Sequence, residues 1–340
     1  MNWQGKRVLI TGHTGFKGSW LSLWLQDKGA QVCGYALEPP TKPNIFTDAH
    51  VGEGILSVIG DVRDGLSLVK TFAEFKPEIV FHLAAQPIVS LSYGNPVGTY
   101  STNIMGAINV LEAVRMTESV KAVVVITSDK CYENQEWDWS YRESDRLGGY
   151  DPYSASKACA ELIAASYRKS YRMNIATVRA GNIIGGGDWA QDRLIPDIMK
   201  AWTKGETVTI RNPDSVRPWQ YVLDPLRGYI ELAECLYDYG NAYGEAWNFG
   251  PEPSDTWLVL DIVDQLKILW GEGAKWKLAP PEQFHETKML TLDWSKARRR
   301  LLWRPRVNME SALARTAMWY QLHSQGNDMR QFSLDQIRSY

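Results

Sequence analysis

The chain has 340 residues, of which 44% are apolar and 22% are charged, and this is the composition of an ordinary globular protein. Its formal net charge of -2 leaves no strongly basic face, so no nucleic-acid partner is expected. No apolar run is long enough to span a membrane, the start of the chain lacks a secretion signal, and the four cysteines show no CxxC spacing. We therefore expect a cytoplasmic protein with reduced thiols and no metal site.

Short apolar runs alternate with helix-like stretches through the first half of the chain. Each run has the length and composition of a buried strand. The six runs are residues 8–10, 32–35, 56–59, 79–83, 123–126 and 175–178. Because strands that alternate with helices form βαβ units, we predict an α/β fold with a Rossmann-type doubly wound parallel sheet.

The alternation weakens after about residue 180, where the remaining patterns are mostly helical. These patterns cover residues 194–203, 225–236, 258–270, 294–302 and 309–322, with a strand-like run at 207–210. We predict a smaller, mostly α-helical C-terminal substrate lobe that caps the carboxyl edge of the sheet. The predicted division is a sheet domain of residues 1–180, which also takes in about 207–240, and a smaller substrate lobe of residues 181–340.

A glycine-rich loop follows the first predicted strand and opens a helix. It reads Gly12-His13-Thr14-Gly15-Phe16-Lys17-Gly18. Glycines permit a tight turn and a close approach of the backbone, and a helix N-terminus offers free N–H groups to a pyrophosphate. With a strand before it, a helix after it and a second βαβ unit, the pattern indicates a dinucleotide site. A glycine-rich turn without a ligand is the alternative.

The end of the second predicted strand bears on the choice between NAD and NADP. An acidic residue that binds the ribose of NAD is usual there, but the first carboxylate in this chain is Glu38. No arginine follows to bind the 2′-phosphate of NADP, although Lys42 is near, so NAD is favoured. Asp61, at the end of the third strand, is placed either to bind the adenine amino group or to serve as a turn or helix-cap residue.

The fifth apolar run ends in Thr-Ser-Asp-Lys at residues 127–130, and a helical pattern starts near Tyr153. Polar groups at the carboxyl end of a buried strand are where open α/β sheets bind their ligands. Lys157 follows Tyr153 by four residues, so both lie on one face of the helix. Because an ammonium beside a phenol favours the phenolate, the pair predicts a proton-transfer site.

Taken together, these residues resemble the extended short-chain dehydrogenase/reductase family. The resemblance is carried by residues through most of the chain: Gly12, Gly15, Gly18, Asp61, His82, Leu83, Ala84, Ala85, Asn103, Ser128, Tyr153, Lys157, Arg179, Asn182, Arg217 and Asn248. Further stretches are similar to the branch of that family that dehydrates CDP-glucose. They are residues 12–21, 128–132, 185–189, 193–196, 285–286 and 292–293.

The resemblance implies a redox-neutral dehydration of CDP-glucose in deoxysugar biosynthesis, with NAD as the cofactor. The 4-hydroxyl of the sugar is oxidised, water leaves across C5 and C6, and C6 is then reduced. Tyr153 takes the proton of the 4-hydroxyl, Lys157 and the positive nicotinamide lower the pKa of Tyr153, and Ser128 donates to the 4-oxygen. The implied cofactor ligands are Gly12, Thr14, Gly15, Phe16, Lys17, Gly18, Asp61, Val62, Leu83, Ala84, Ala85, Asn103, Tyr153 and Lys157.

Loss of water also requires an acid at C6 and a base at C5, and Asp129 and Lys130 are the candidates. Asp129 must then be protonated and Lys130 neutral, whereas an ion pair between the two would stabilise the opposite states. The alternative for Lys130 is electrostatic stabilisation of the enolate.

The expected substrate ligands lie in the second half of the chain and after the fourth strand. They are Gln86, Asn182, Arg193, Arg217 and His285. Guanidinium groups suit phosphate oxygens, although an ordinary salt bridge is the alternative for Arg217. His285 and its neighbour Glu286 can equally have a capping or surface role. His82 is expected to be a structural residue with satisfied hydrogen bonds.

Asn103 is unfavourable in the middle of a helix, so it predicts a kink or a role near the site. The helical stretches 100–114 and 153–171 are rich in apolar residues, and in the family such helices form a four-helix dimer interface. A homodimer, or a tetramer built from it, is therefore expected. Two other functions remain open: an epimerase or reductase of the same family, which needs no acid–base pair for water loss, and a non-catalytic dinucleotide sensor, which needs no phenolate.

Overall fold

The computed structural model of the protein describes residues 1–279 and 290–340. In chain order, the thirteen strands of these residues are β1 (Arg7–Thr11), β2 (Gln31–Ala36), β3 (Leu56–Ile59), β4 (Ile79–His82), β5 (Ala122–Ile126), β6 (Ile175–Ala180), β7 (Ile183–Ile184), β8 (Thr207–Ile210), β9 (Val216–Arg217), β10 (Gln220–Tyr221), β11 (Ala246–Phe249), β12 (Trp257–Leu258) and β13 (Lys275–Leu278).

The same residues form thirteen α-helices. They are α1 (Phe16–Asp27), α2 (Ile45–Asp48), α3 (Gly65–Phe75), α4 (Val89–Gly94), α5 (Pro96–Tyr100), α6 (Gly106–Arg115), α7 (Pro152–Tyr171), α8 (Leu194–Thr203), α9 (Leu223–Tyr239), α10 (Val259–Trp270), α11 (Ser295–Arg300), α12 (Met309–Ser324) and α13 (Met329–Arg338). A π-helical turn, Ser101–Met105, joins α5 to α6, and 3-10 turns lie at Asp129–Cys131 and Gly240–Tyr243. None of the helices within the described ranges combines the length and the apolar character that a membrane crossing needs.

Seven strands form one parallel sheet in the order β3-β2-β1-β4-β5-β6-β11. From β1 the chain adds β2 and β3 on one side, and it then returns to place β4 on the other side of β1. This reversal of strand order leaves a crevice at the carboxyl ends of β1 and β4, which is where doubly wound sheets bind their ligands. The predicted α/β fold with a doubly wound parallel sheet is confirmed, and the six predicted apolar runs are β1 to β6.

The centre of the sheet is buried on both faces, whereas the edge strand β3 is largely exposed. Along β1, Val8 and Ile10 pack into one hydrophobic cluster, whereas Leu9 between them packs into a second cluster on the opposite face. Such alternation follows from the two-residue period of a strand. β5 is buried at every position because helices cover both of its faces.

The smaller lobe is built from short two-stranded sheets and helices. β7 pairs with β10, β9 with β12 and β8 with β13, while α12 packs against α8, α10 and α13. β11 joins the central sheet beside β6, and α9 packs against β5 and β6. The predicted segment 207–240 therefore contributes β8 to the smaller lobe and α9 to the central sheet. The assignment of residues 1–180 and 181–340 to separate domains remains a proposal.

Several tryptophans pack in the core and at the junction between the lobes, although Trp139 is exposed. Trp20, Trp247, Trp303 and Trp319 are fully buried. The indole of Trp20 donates to the carbonyl of Gly186 at 3.0 Å, so α1 of the sheet layer is fixed to the loop that follows β7.

Candidate active site

The glycine-rich loop, residues 12–18, is shaped by two close approaches of the backbone. Gly12 has a φ of +80°, and a Cβ at this position would lie 2.7 Å from the amide nitrogen of Ala84. A Cβ on Gly18 would overlap the carbonyl of Gly12. Glycine is therefore required at both positions, the first for the turn and the second for the close packing of α1 on β1.

This loop delivers an uncapped helix N-terminus to the crevice. Gly15 is the N-cap residue of α1 and provides no side-chain cap. The N–H groups of Phe16, Lys17 and Gly18 are thus the first-turn donors, which together with the helix dipole suit a pyrophosphate. Thr14 fixes the loop by donating a 2.8 Å hydrogen bond to the carbonyl of Leu37. The residues present fit a dinucleotide, because the first-turn N–H groups of α1 have no side-chain cap and are left for a pyrophosphate.

Lys17 directs its side chain toward the reaction centre, a placement that the loop pattern did not predict. Burial, together with the charges of Lys157 and Arg193, lowers the pKa of Lys17 to about 7, and the charges of Asp129 and Asp188 oppose this fall. Lys17 therefore brings a second amine near the catalytic groups, in addition to its backbone N–H.

The ends of β3 and β4 bring the other predicted cofactor ligands to the same edge of the sheet. The carboxylate of Asp61 forms an ion pair with Arg63, with a shortest N–O distance of 2.5 Å, and accepts from the amide of Arg63 at 2.8 Å. Asp61 is thus a turn residue in this structure, while its part in adenine binding remains a prediction. Val62 is buried beside Gly106.

Residues 83–86 continue β4 past the glycine-rich loop. The amide of Leu83 donates to Thr11, the amide of Ala84 donates to the Thr11 hydroxyl at 3.2 Å, and Ala85 is partly buried beside them. The side-chain amide of Gln86 binds within the loop, accepting from Ile88 at 2.6 Å and donating to Thr99 at 3.0 Å. Its predicted contact with substrate remains a prediction.

Asn103 lies inside the π-helical turn, Ser101–Met105, which interrupts the α-helical run between α5 and α6. Its side chain accepts from the amide of Gln86 at 2.8 Å and donates to the hydroxyl of Ser156 at 2.8 Å. Asn103 therefore joins the β4 loop to α7, which carries Tyr153 and Lys157.

The catalytic turn, residues 128–131, begins where β5 ends. Ser128 caps the 3-10 turn, and its hydroxyl donates to the carboxylate of Asp129 at 2.9 Å. The same carboxylate oxygen accepts from the amide of Lys130 at 2.9 Å. Burial raises the pKa of Asp129, although the charges of Lys130 and Arg217 oppose this rise. Within the described part of the chain, no salt bridge joins Asp129 to Lys130, but the charge of Lys130 still favours the ionised form of Asp129.

Helix α7 positions Tyr153 and Lys157 beside this turn. Asp151 caps the helix by accepting from the amide of Ser154 at 2.9 Å, and Pro152 occupies the first helical position. Both Tyr153 and Lys157 are buried, and the Lys157 ammonium donates to the carbonyl of Ile126 at 3.1 Å. The predicted pair therefore faces the carboxyl end of β5.

The pKa of Tyr153 differs from the sequence-based expectation. Burial raises it to about 12, and hydrogen bonding to Ser128 and the charge of Arg193 offset only part of this rise. Burial also lowers the pKa of Lys157 to about 8, against the opposing charges of Cys131 and Glu161. The protein's own groups thus keep Tyr153 neutral, because desolvation penalises the phenolate more than they stabilise it. Of the two expected causes of a lowered pKa, only the nicotinamide charge is left.

The predicted substrate ligands lie on the small-lobe side of the crevice. Arg193 precedes α8 and forms an ion pair with buried Asp188 at 3.2 Å. Arg217 lies on β9 near enough to influence Asp129, and it donates to the carbonyl of Val216 at 3.0 Å. Asn182 is partly buried between β6 and β7. His285 and Glu286 lie outside the described residues.

His82 has the structural role that was expected. Its Nδ1 lies 2.7 Å from the hydroxyl of Thr11, and burial lowers its pKa to about 3. The sequence analysis did not select Asp188 or Gly181 as site residues. Asp188 ends the Gly-Gly-Gly-Asp run at 185–188, and a Cβ on Gly181 would lie 3.0 Å from Oδ2 of Asp129. The glycine run is a sequence signal that could have identified Asp188. The role of Gly181 depends on a tertiary contact, which the sequence does not show.

The arrangement can transfer protons at two neighbouring centres. Tyr153, Ser128 and Lys157 surround one of them, and Asp129, with its raised pKa, supplies an acid at the next. A dinucleotide held by the glycine-rich loop adds a redox partner at the same strand ends. Among the described residues, His, Cys, Asp and Glu form no cluster that could hold a metal ion.

The fold and the site define an extended short-chain dehydrogenase/reductase, as the sequence resemblance implied. The chain matches the sequence profile of the family described as GDP-mannose 4,6 dehydratase over residues 9–316, and it belongs to that family. It is 52% identical to the CDP-glucose 4,6-dehydratase of Salmonella typhimurium, in an alignment that covers 99% of this chain and 97% of the relative.

Solved structures share the fold over nearly the whole chain. The dTDP-glucose 4,6-dehydratase of Bacillus anthracis, in complex with NAD, has a TM-score of 0.79 at 21% identity and covers 95% of this chain and 99% of its own. The UDP-glucose 4-epimerase of Thermotoga maritima, with UDP-glucose, has a TM-score of 0.82 at 23% identity and covers 93% and 99%. At these identities the likeness establishes the fold and not the reaction.

Proposed function

We infer that this chain catalyses the dehydration of CDP-glucose to CDP-4-dehydro-6-deoxyglucose. The observation that carries the inference is the position of Asp129, a buried acid with a raised pKa that is hydrogen-bonded to Ser128 beside Tyr153 and Lys157. The identity of 52% to a CDP-glucose 4,6-dehydratase, over almost the full length of both chains, supports the choice of nucleotide sugar. The enzyme is thus a hydro-lyase.

NAD is the cofactor that the glycine-rich loop fits, and a related dehydratase structure contains it. When bound, NAD supplies the hydride chemistry that oxidises C4 and later reduces C6. The N–H groups of residues 16–18 would hold its pyrophosphate at the start of α1. Lys157, one turn after Tyr153, is the candidate for the ribose hydroxyls.

Oxidation at C4 requires that the 4-hydroxyl lose its proton, and Tyr153 is the group proposed to take it. Ser128 lies close enough to Tyr153 to lower its pKa, and its hydroxyl is proposed to stabilise the 4-oxygen as the charge of that oxygen changes. Because burial holds the pKa of Tyr153 at about 12, the phenol needs an additional nearby positive charge before it can act as a base.

Elimination of water then requires an acid at C6 and a base at C5. Asp129 is proposed as the acid, since burial favours its protonated form. Lys130 is proposed as the base, since it follows Asp129 directly in the same 3-10 turn. Arg193, Arg217 and Asn182 are proposed to bind the diphosphate and the nucleoside.

The function is tested by incubating the purified protein with NAD and CDP-glucose and measuring the 4-keto sugar by its absorbance in alkali. UDP-, dTDP- and GDP-glucose serve as matched controls that differ only in the base. We expect product from CDP-glucose at the highest kcat/KM. Product from dTDP-glucose without product from CDP-glucose would overturn the substrate assignment, and a 4-epimer without a 4-keto sugar would indicate an epimerase.

We also propose that two copies associate through the helices that flank the site. Exposed apolar side chains lie on neighbouring helical segments, with Val97 77%, Met105 47% and Leu162 61% exposed. The segment from α5 to α6 packs beside α7, so these side chains can form one apolar face for a second copy. Light scattering should show a dimer or a tetramer, and a monomer at micromolar concentration would contradict the proposal.

The proposed compartment is the cytoplasm. Cys33, Cys131, Cys159 and Cys235 are all free thiols, which supports a reducing environment. Fusion to a compartment-specific fluorescent reporter and fractionation of the host cells provide the measurement.

A further inference from the structure

Glu161 lies one helical turn beyond Lys157 on α7 and is fully enclosed. Its carboxylate accepts a 2.6 Å hydrogen bond from the hydroxyl of Thr127 and another of 2.6 Å from the hydroxyl of Thr177. Arg179 completes the set, donating from Nε at 3.0 Å and from Nη2 at 2.9 Å. Burial alone would raise the pKa of Glu161, but Arg179 and the two hydroxyls hold it below its usual value, so the carboxylate is ionised.

One partner of this carboxylate leads directly into the catalytic turn. Thr127 is the residue immediately before Ser128, and its side chain is buried. Because Thr127 is fixed by its hydroxyl as well as by its place after β5, the direction in which Ser128 and Asp129 leave the strand depends on Glu161.

The second partner leads to the other end of the same turn. Arg179 donates from Nη1 to the hydroxyl of Tyr132 at 2.7 Å, and its guanidinium lies 4.8 Å from the centre of the Tyr132 ring. Tyr132 is the residue immediately after the catalytic turn, and its hydroxyl donates in turn to Asn248 at 2.8 Å. The turn is therefore bracketed by two residues that are both anchored to the Glu161–Arg179 ion pair.

We propose that the buried Glu161–Arg179 pair is a positioning device that fixes Ser128 and Asp129 for oxidation and elimination by holding both ends of the catalytic turn. The proposal rests on the function inferred above, and Glu161 and Arg179 are positioning residues that do not touch the sugar. Ion pairs of this kind often add little net stability, because desolvation of the two charges offsets their attraction. A geometric role gives a reason for this pair to be placed at the strand ends of β5 and β6.

The chain offers a matched pair of substitutions that separates this role from plain stability. Thr127→Val and Thr177→Val each remove one 2.6 Å hydrogen bond to Glu161 from a buried side chain of the same shape. Only Thr127 adjoins the catalytic turn, whereas Thr177 lies within β6. The Thr127 hydroxyl also lies 3.0 Å from the carbonyl of Val178. In Thr127→Val this carbonyl keeps its other donor, the backbone amide of residue 127 at 2.9 Å.

We expect Thr127→Val to lower kcat for dehydration by about 10- to 100-fold, because a displacement on the order of 1 Å at reacting groups can cost that much. Thr177→Val should lose as much Tm as Thr127→Val but keep kcat within about 3-fold of the wild-type value. Both variants should keep KM for CDP-glucose within about 3-fold of the wild-type value. Equal kcat losses in the two variants, or a kcat unchanged in Thr127→Val, would show that the pair only stabilises the fold.

Tyr132→Phe tests the other end of the turn. It removes the hydroxyl that accepts from Arg179 and leaves the ring in place, and we expect a loss of kcat without a rise in KM. Hydrogen–deuterium exchange of the amides of residues 128–132 gives a readout that needs no substrate: it should rise in Thr127→Val and Tyr132→Phe but not in Thr177→Val. If the wild-type protein forms no keto sugar, the proposed function fails, whereas unchanged exchange in all three variants overturns the positioning role alone.

Discussion

The hydroxyl of Ser128 donates a 2.9 Å hydrogen bond to the carboxylate of Asp129. These adjacent residues serve different steps in the proposed reaction, the first at the 4-oxygen of the sugar and the second at C6. Their contact means that the oxidation centre and the elimination centre share one short turn, and substitutions can separate the two steps.

Replacing Tyr153 by Phe should sharply reduce oxidation of the 4-hydroxyl, since it removes the hydroxyl that is proposed to take its proton. General acid–base catalysis typically contributes about 10²- to 10⁴-fold, so activity should fall at least that far. The measurement is the absorbance of reduced nicotinamide after mixing with CDP-glucose. The variant should keep its far-ultraviolet circular dichroism and its affinity for NAD, and a normal reduction signal would contradict the role of Tyr153.

Asp129→Asn should preserve the oxidation step and slow the loss of water by about 10²-fold or more, because the amide cannot donate the proton that the leaving hydroxide needs. Reduced nicotinamide should therefore accumulate to a higher level than in the wild type while the keto-deoxy product forms slowly. Comparable losses of the two steps would refute the separate role of Asp129.

Lys130→Arg keeps the positive charge but replaces the amine by a guanidinium, which cannot act as a base. If Lys130 is the base at C5, this variant should lose elimination by about 10²-fold and should no longer exchange the C5 proton with deuterated solvent. Retention of more than about a third of wild-type kcat would instead assign Lys130 to electrostatic stabilisation of the enolate.

Gly181→Ala should impair elimination because its Cβ would lie 3.0 Å from both Oδ2 of Asp129 and Cγ of Pro218. The carboxylate would be pushed from its position, and we expect kcat to fall by about 10-fold with little change in NAD affinity. Gly94→Ala is the matched control, since a Cβ there would meet nothing within 4 Å. Equal kinetics for the two variants would argue against a close fit around Asp129.

The burial of Lys157 has a consequence for stability. Its pKa falls from 10.5 to about 8 in the folded protein, so the unfolded chain binds more protons between those two values. The free energy of unfolding should therefore rise with pH from about 8 to 10.5, by roughly 3 kcal/mol from this group. Urea titrations should show this increment in the wild type and in Lys169→Met, an exposed position on the same helix, but not in Lys157→Met. If the free energy of unfolding rose by the same amount in Lys157→Met, Lys157 would not be its source.

Much of the fold follows from local patterns, whereas one strand of the sheet does not. Each of β1 to β6 contains one of the apolar runs that predicted it, whereas β11 has only four residues and the polar Asn248 interrupts its apolar sequence. That buried amide is satisfied by the carbonyls of Tyr141 and Asp293, at 2.8 and 3.1 Å. Such partners are more than forty residues away in either direction, so no local pattern could identify the strand.

The candidate site divides in a similar way. The spacing of Tyr153 and Lys157 was enough to place them on one face of α7, and Glu161 continues that face at the next turn. The pKa of Tyr153 could not be predicted, because it depends on how completely the tertiary structure removes water from the phenol. The contact between Gly181 and Asp129 likewise joins two different strand ends.

The place of β11 in the sheet also affects the biosynthesis of the protein. β11 pairs with β6, yet it ends only at residue 249 of the 340. A nascent chain that has left the ribosome only as far as β6 therefore exposes a hydrogen-bonding edge that another chain can pair with. Completion of the sheet waits for translation of nearly three quarters of the chain, and chaperones that bind before this point would protect the protein from aggregation.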